Sequence, residues 1–174
     1  MMKRWFLTAL LVATVALPVR ADIRSELVQT LTQAREALAS KPGYAQYLQE
    51  AGRVTSALDR VIYSRTPVPA NALSAVKFVN KQMRALEEAW ALRYRIGLKN
   101  LDAPDVVGFA ATSLPRVRKA FAAVDPKLRI DDYIVGRGRQ NNAEEYVTFA
   151  YDRLVQEGFE AIAKNLDTAL ARLK

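Results

Sequence analysis

A helical periodicity sustained over about seven turns constrains the fold of this chain more than any other feature. Between Asn71 and Asn100, apolar side chains recur three or four positions apart. Side chains at that spacing share one face of an α-helix, so we predict a long amphipathic helix that buries this face against other elements. The apolar positions are Leu73, Val76, Val79, Met83, Leu86, Trp90, Tyr94 and Leu98.

Two further long helices are predicted before it. Residues 22–40 carry one apolar stripe at helical spacing, and Lys41-Pro42-Gly43 ends this helix because proline cannot continue the hydrogen-bond ladder. The next helix runs from Tyr44 to Ser64 and is expected to lie antiparallel to the first, since the connection is short. Gly52 interrupts it and is interpreted as the mark of a close helix crossing.

The second half of the chain is less regular. Short helices are predicted at Val106–Thr112 and from Ser113-Leu114-Pro115 to about Val124, and Leu128–Val135 fits either a short helix or an extended segment. Residues 136–142 are rich in glycine and polar side chains, which favours a loop. A final long helix is predicted over Ala143–Leu173, capped by Asn142 and with acidic side chains in its first turn.

Together these segments predict an all-α fold. No run of four or more residues alternates convincingly between apolar and polar, so no sheet is expected. The predicted architecture is a helical bundle of four main helices, with short extra helices in the 103–135 region, forming a single domain over residues 22–174.

Residues 1–21 have the pattern of a cleavable signal peptide. Lys3 and Arg4 precede an apolar run of small and large side chains, and the segment ends at Ala21 with a small residue also at the position three before the cut. The apolar run covers about 13 residues and is shorter than the roughly 20 that a membrane-spanning helix needs. We expect cleavage after Ala21 and a soluble mature protein in the periplasm or secreted.

The chain has no cysteine and no histidine. Disulfides, lipid attachment at an N-terminal cysteine, catalytic triads and the common zinc, copper and haem ligands are therefore excluded. The sequence also lacks an Asn-x-Ser/Thr acceptor, which with the missing disulfides favours a bacterial over a eukaryotic export pathway. We expect no cofactor, no bound metal and no enzymatic activity, although an enzyme that uses carboxylates, tyrosine or lysine remains an alternative.

Positive charge concentrates in the middle of the chain. The chain has 26 lysines and arginines, three of them in the predicted signal, and 18 acidic residues, so the mature protein has a net charge of +5. Residues 66–141 hold thirteen bases and seven acids. Arginine forks match phosphate and carboxylate groups, so this stretch is interpreted as an anion- or partner-binding surface. A solvated face that pairs with the acidic last helix is the alternative. The candidate residues are Arg116, Arg118, Lys119, Lys127, Arg129, Arg137 and Arg139.

Other side chains give weaker signals. Asp131-Asp132 with Asp125 lack the Asp-x-Asp-x-Asp-Gly spacing of a calcium loop, which favours a structural role for them. Glu157 and Glu160 share a helical face but lack the histidine of a di-iron site. The aromatic side chains at helical spacing are predicted to form core, with a binding pocket as the alternative.

These features lead to one functional hypothesis. The chain is expected to be an exported, non-catalytic helical protein of the bacterial envelope, acting as a binding, adaptor or chaperone-like factor. Its predicted partner is an acidic protein or an anionic envelope component, with peripheral membrane contact possible, no nucleic acid and no transmembrane segment in the mature chain. The alternative is a structural or assembly subunit of an envelope complex.

Overall fold

The computed structural model describes residues 16–98, 105–140 and 144–174. Within these residues the protein is mostly helical and also contains a small sheet. The helices are α1 (Ala16–Ala39), α2 (Tyr44–Tyr63), α3 (Ala70–Ile96), α4 (Leu114–Val124) and α5 (Tyr151–Leu173). The strands are β1 (Val106–Ala110), β2 (Ile134–Gln140) and β3 (Glu144–Ala150), with short 3₁₀ turns at Ala111–Ser113 and Ile130–Tyr133.

The sequence predicted α1 to α4 closely. The three long helices α1, α2 and α3 follow the apolar stripes read from the sequence, and α4 spans the predicted short helix with Pro115 in its first turn. Lys41 and Arg65 adopt the left-handed backbone conformation just after α1 and α2, where it reverses the chain.

The core lies around α3, which packs against α2, α4 and α5, while α1 packs against α2 and α5. The predicted stripe of α1 is buried, since Leu27, Leu31, Ala34 and Leu38 are all at most 2% exposed. Burial of a leucine of this kind contributes roughly 1.5–3 kcal/mol, so these contacts are the main source of stability in a chain without disulfides.

A polar chain of contacts fixes how α3 meets its neighbours. The Gln82 side-chain amide donates to the Val124 carbonyl oxygen at 2.7 Å, which places the end of α4 beside the middle of α3. The Asn165 amide of α5 donates to the Gln82 side-chain oxygen at 2.9 Å. Gln82 is buried, so both bonds satisfy groups that would be costly to leave unpaired.

The sheet corrects the all-α prediction. The three strands are antiparallel in the order β1-β3-β2, with Val147 of the central strand opposite Phe109 on one side and Arg137 on the other. Val147, Thr148 and Phe149 are consecutive and all buried, so β3 is covered on both faces. A strand of this kind shows no alternation in sequence, which is why the alternation criterion failed.

Three local predictions were therefore wrong. Val106–Thr112 is a strand followed by a 3₁₀ turn instead of a short helix, and most of the predicted loop at 136–142 belongs to β2. The last helix begins at Tyr151, eight residues later than predicted, because 144–150 form β3. The segment Leu128–Val135, which was expected to be either a short helix or extended, contains both, since the 3₁₀ turn Ile130–Tyr133 leads directly into β2. The predicted cap Asn142 lies outside the described residues.

The structure describes only the last part of the predicted signal peptide. Residues 1–15, which include the charged start and most of the apolar run, lie outside the described residues. The predicted cleavage point after Ala21 falls within α1. No helix in the described part of the chain is long and apolar enough to cross a membrane.

Candidate functional site

The seven predicted basic residues do not form one cluster. Arg116, Arg118 and Lys119 are on α4, Lys127 and Arg129 are in the segment between α4 and β2, and Arg137 and Arg139 are on β2. All seven are exposed.

Three of these side chains have carboxylate partners. Arg118 pairs with Asp131 at 2.8 Å, Arg129 approaches Asp132 at 3.7 Å, and Arg139 pairs with Glu145 at 3.1 Å. Two partners lie in the 3₁₀ turn before β2, and Glu145, which the sequence assigned to the acidic last helix, lies on β3. Exposed pairs of this kind contribute roughly 0–1 kcal/mol and leave little net charge for a ligand.

A groove, called here the α3–α4 groove, lies between α3 and α4. Two of the predicted bases that lack a carboxylate partner, Arg116 and Lys119, line it together with Arg95 of α3. Its volume is about 310 Å³. From α3 come Ala85, Glu88, Leu92 and Arg95, and from α4 come Arg116, Lys119, Ala120 and Ala123. The spacing on each helix is three or four residues, so each set forms one continuous wall.

The groove carries a net positive charge. Arg95, Arg116 and Lys119 form no ion pair with any residue that the structure describes, and Glu88 is the one acidic side chain among the groove residues. Cations on both sides of a concave surface reinforce one another's potential and attract an anion.

The two arginines lie at the same end of the groove. Because Val124 at the end of α4 meets Gln82, α4 runs back along α3, and the start of α4 lies beside the end of α3. Arg95 and Arg116 therefore flank one end, while Ala85 and Ala123 line the other. The groove thus passes from a cationic end to an apolar end.

Sequence reasoning missed Arg95. Its position was visible in the sequence, since residues 85, 88, 92 and 95 fall on one face of the predicted helix α3. The sequence does not show that α4 packs beside this face, and only the tertiary structure reveals it.

A second concave surface lies between α5 and the segment that joins α4 to β2. Its volume is about 480 Å³. Basic and acidic side chains both line it, since Lys127, Arg129 and Lys164 lie beside four carboxylates. Burial raises the pKa of Tyr133, helped by a hydrogen bond with Glu157. The mixed charge gives no preference for an anion, and the described residues contain no group of three potential metal-binding side chains.

Two carboxylates meet where β1 and α5 begin. Asp152 pairs with Arg93 of α3 at 2.8 Å, and the Tyr151 amide donates to the Asp105 carbonyl oxygen at 3.0 Å. Burial raises the pKa of Asp152, and the neighbouring Asp105 raises it further, while Arg93 opposes both effects. These contacts join α3, β1 and α5, and we interpret them as structural.

Several aromatic side chains belong to the core, whereas Tyr63, Phe78 and Tyr94 are exposed. Tyr47 packs its ring against Trp90 and Phe159 at centroid distances of 5.8 and 5.6 Å, and Tyr47 is fully buried. The Tyr47 hydroxyl donates to the Met83 carbonyl oxygen at 2.6 Å, and the Tyr151 hydroxyl donates to that of Ala89. This arrangement agrees with the core interpretation of these residues and gives no open aromatic pocket at this point.

No protein-family model matches the chain, and no curated protein or solved structure is similar enough to be matched to it. The functional argument therefore depends on the geometry and charge of the α3–α4 groove.

Proposed function

We propose that this chain is an exported, non-catalytic binding protein of the bacterial envelope, which engages an acidic protein or an anionic envelope component through the α3–α4 groove. The observation that carries the proposal is the unpaired charge of Arg95, Arg116 and Lys119 around a floor of alanine and leucine. Export is inferred from the signal-like pattern of residues 1–21.

A binding role suits these residue types better than catalysis does. Exposed arginine and lysine supply charge and hydrogen-bond donors but are protonated at neutral pH, so they are poor proton acceptors. The groove contains one carboxylate, Glu88, and no nucleophile such as serine. Its side chains therefore supply attraction for an anion, while Glu88 stands without the second carboxylate that paired acid–base catalysis would use.

The test compares two variants with the same change in charge. Substitution of Arg95, Arg116 and Lys119 by serine removes the groove cations, and substitution of Arg118, Arg129 and Arg139 by serine removes three cations that have carboxylate partners. The full-length tagged chain is expressed in a bacterial host and crosslinked in the envelope, and the captured proteins and lipids are identified by mass spectrometry.

We expect the wild-type chain and the second variant to capture the same partner, and the groove variant to lose it. Capture should also weaken as the salt concentration rises, because exposed charges are screened beyond about 8 Å at physiological ionic strength. Equal losses in both variants would show that net charge alone is responsible. Unchanged capture by the groove variant would exclude the groove as the binding surface.

A further inference from the structure

We infer that the occupant of the α3–α4 groove is an acidic amphipathic helix of a partner protein. This inference rests on the proposed function, because it identifies the class of anion that the same groove recognises. Three properties of the groove carry it: its openness, its length with its small floor residues, and the placement of its charges.

The groove is open in a way that suits a partner with its own surface. Glu88, Arg95, Arg116, Lys119 and Ala123 are all exposed, and only Leu92 of the groove residues is buried. A small molecule in its binding site buries most of its surface, typically 70–90%. An exposed groove of this kind would leave such a molecule in water, whereas a helix of a partner covers the groove and brings its own folded surface with it.

The dimensions and the floor of the groove fit a helix. The wall on α3 runs over eleven residues from Ala85 to Arg95, and the ten steps between them span about 15 Å at 1.5 Å per residue. Alanine at positions 85, 120 and 123 keeps the floor low, so a third helix can approach to the 8–10 Å at which helices pack. Leu92 is only 4% exposed and closes the bottom of the groove, so the alanines supply the apolar surface that a partner helix would contact.

The charges then select the partner and its direction. Arg95 and Arg116 flank one end, and Lys119 lies one turn further along α4. A partner helix with acidic side chains near one end and alanine or leucine along the rest of its inner face complements this pattern. A basic helix would bring further positive charge against three unpaired cations, which is unfavourable in both affinity and association rate.

Synthetic peptides test the inference on the full-length chain. One peptide of about 14 residues, roughly four turns, places glutamates and leucines at helical spacing on one face. A second peptide has the same composition in scrambled order. Binding of each fluorescent peptide is measured by anisotropy at low salt, beside vesicles of phosphatidylglycerol and of phosphatidylcholine measured by sedimentation.

A matched pair of variants fills the groove without changing its charge. Ala123→Trp places an indole on the floor, and Ala122→Trp places it on the exposed neighbouring position of α4 outside the groove. We expect the wild-type chain to bind the amphipathic peptide about tenfold more tightly than the scrambled one. In Ala123→Trp this difference in affinity should disappear. Ala122→Trp should bind like the wild type. The double variant Arg95→Ser with Arg116→Ser should bind both peptides more weakly than the wild type.

The other outcomes separate this inference from the proposed function. Equal binding of the two peptides, unaffected by Ala123→Trp but lost in the arginine variant, would overturn the helix and leave an anion-binding groove. Binding of phosphatidylglycerol vesicles alone, again dependent on Arg95 and Arg116, would overturn the helix in favour of an anionic membrane surface. Binding of neither peptides nor vesicles would overturn both proposals.

Discussion

At the scale of single residues, two tyrosines place hydroxyl groups inside the core. Tyr47 and Tyr151 are fully buried, and each donates to a backbone carbonyl of α3. Burial raises the pKa of both phenols above the ordinary value near 10, because a phenolate in the core would lose its hydration, and the nearby Arg84 and Arg93 offset this effect only in part. The folded protein therefore holds both protons more tightly than the unfolded chain.

This difference predicts a loss of stability at alkaline pH. Below about pH 10 the tyrosines are protonated in both the folded and the unfolded chain, so their contribution to stability is fully present. Above this pH the tyrosines of the unfolded chain ionise first. The free energy of unfolding then falls by up to about 1.4 kcal/mol per tyrosine per pH unit. We expect Tyr47→Phe to cost about 1 kcal/mol at neutral pH, since its hydrogen bond is lost, and to flatten the alkaline decline.

Urea unfolding between pH 8 and pH 11 measures both effects, with Tyr63→Phe as the control. Tyr63 is 85% exposed, so its substitution should leave the alkaline decline unchanged. An unaltered decline in Tyr47→Phe would mean that the buried phenol is not responsible.

The limit of the sequence at this scale is shown by Arg118 and Arg95. Composition located a basic stretch that includes Arg118, but the sequence did not reveal that Asp131 neutralises it across a turn. Arg95 lies within residues 66–141 but was not among the candidate residues, and it joins Arg116 only because α4 folds back along α3. Partners in space, not residue types, determine which charges are available.

At the scale of elements, two glycines within helices have opposite surroundings. A Cβ added at Gly158 of α5 would lie 2.9 Å from the Leu86 Cδ1 atom of α3, and Leu86 is fully buried. A Cβ at Gly52 would meet nothing within 4 Å. The close helix approach that the sequence suggested at Gly52 is therefore found at Gly158.

The two positions predict opposite effects of one substitution. Gly52→Ala should raise the free energy of unfolding by about 1 kcal/mol, the difference in helix propensity. Gly158→Ala gains the same propensity but forces Leu86 or α5 to move, so we expect a net loss of about 1–2 kcal/mol. Urea midpoints compare the variants at constant pH. A stabilised Gly158→Ala would show that α3 and α5 separate at little cost.

Elements differ in how far the sequence determined them. The helices α1 to α4 were predicted because each has one buried face, which leaves a periodic stripe. The strands β1 and β3 were missed because burial on both faces removes the alternation, although Val106, Val107 and Phe109 are residue types that favour strands. The strand order, with β3 between β1 and β2, depends on pairings distant in sequence that no local pattern encodes.

At the scale of the whole molecule, the predicted signal and the first helix share residues. Cleavage after Ala21 would remove the first six residues of α1 and retain the buried side chains Leu27, Leu31 and Leu38. It would also retain Glu26, which pairs with Arg60 of α2, and Arg35, which pairs with Asp167 of α5 at 2.6 Å. The side-chain contacts that the structure describes between α1 and the rest of the protein thus lie after the predicted cut.

We therefore expect the exported protein to begin at Asp22 and to be as stable as the uncleaved chain. Intact mass spectrometry of the protein from the periplasmic fraction checks the cut. Chemical unfolding of residues 22–174 should agree with the full-length chain within about 0.5 kcal/mol, the usual range for changes away from the core. A chain that starts at Tyr44 lacks the three leucines, whose burial contributes roughly 1.5–3 kcal/mol each, and should not fold stably. An exported protein that keeps residues 1–21 would contradict the signal, whereas a cleaved protein of lower stability would mean that residues 16–21 support α1 after all.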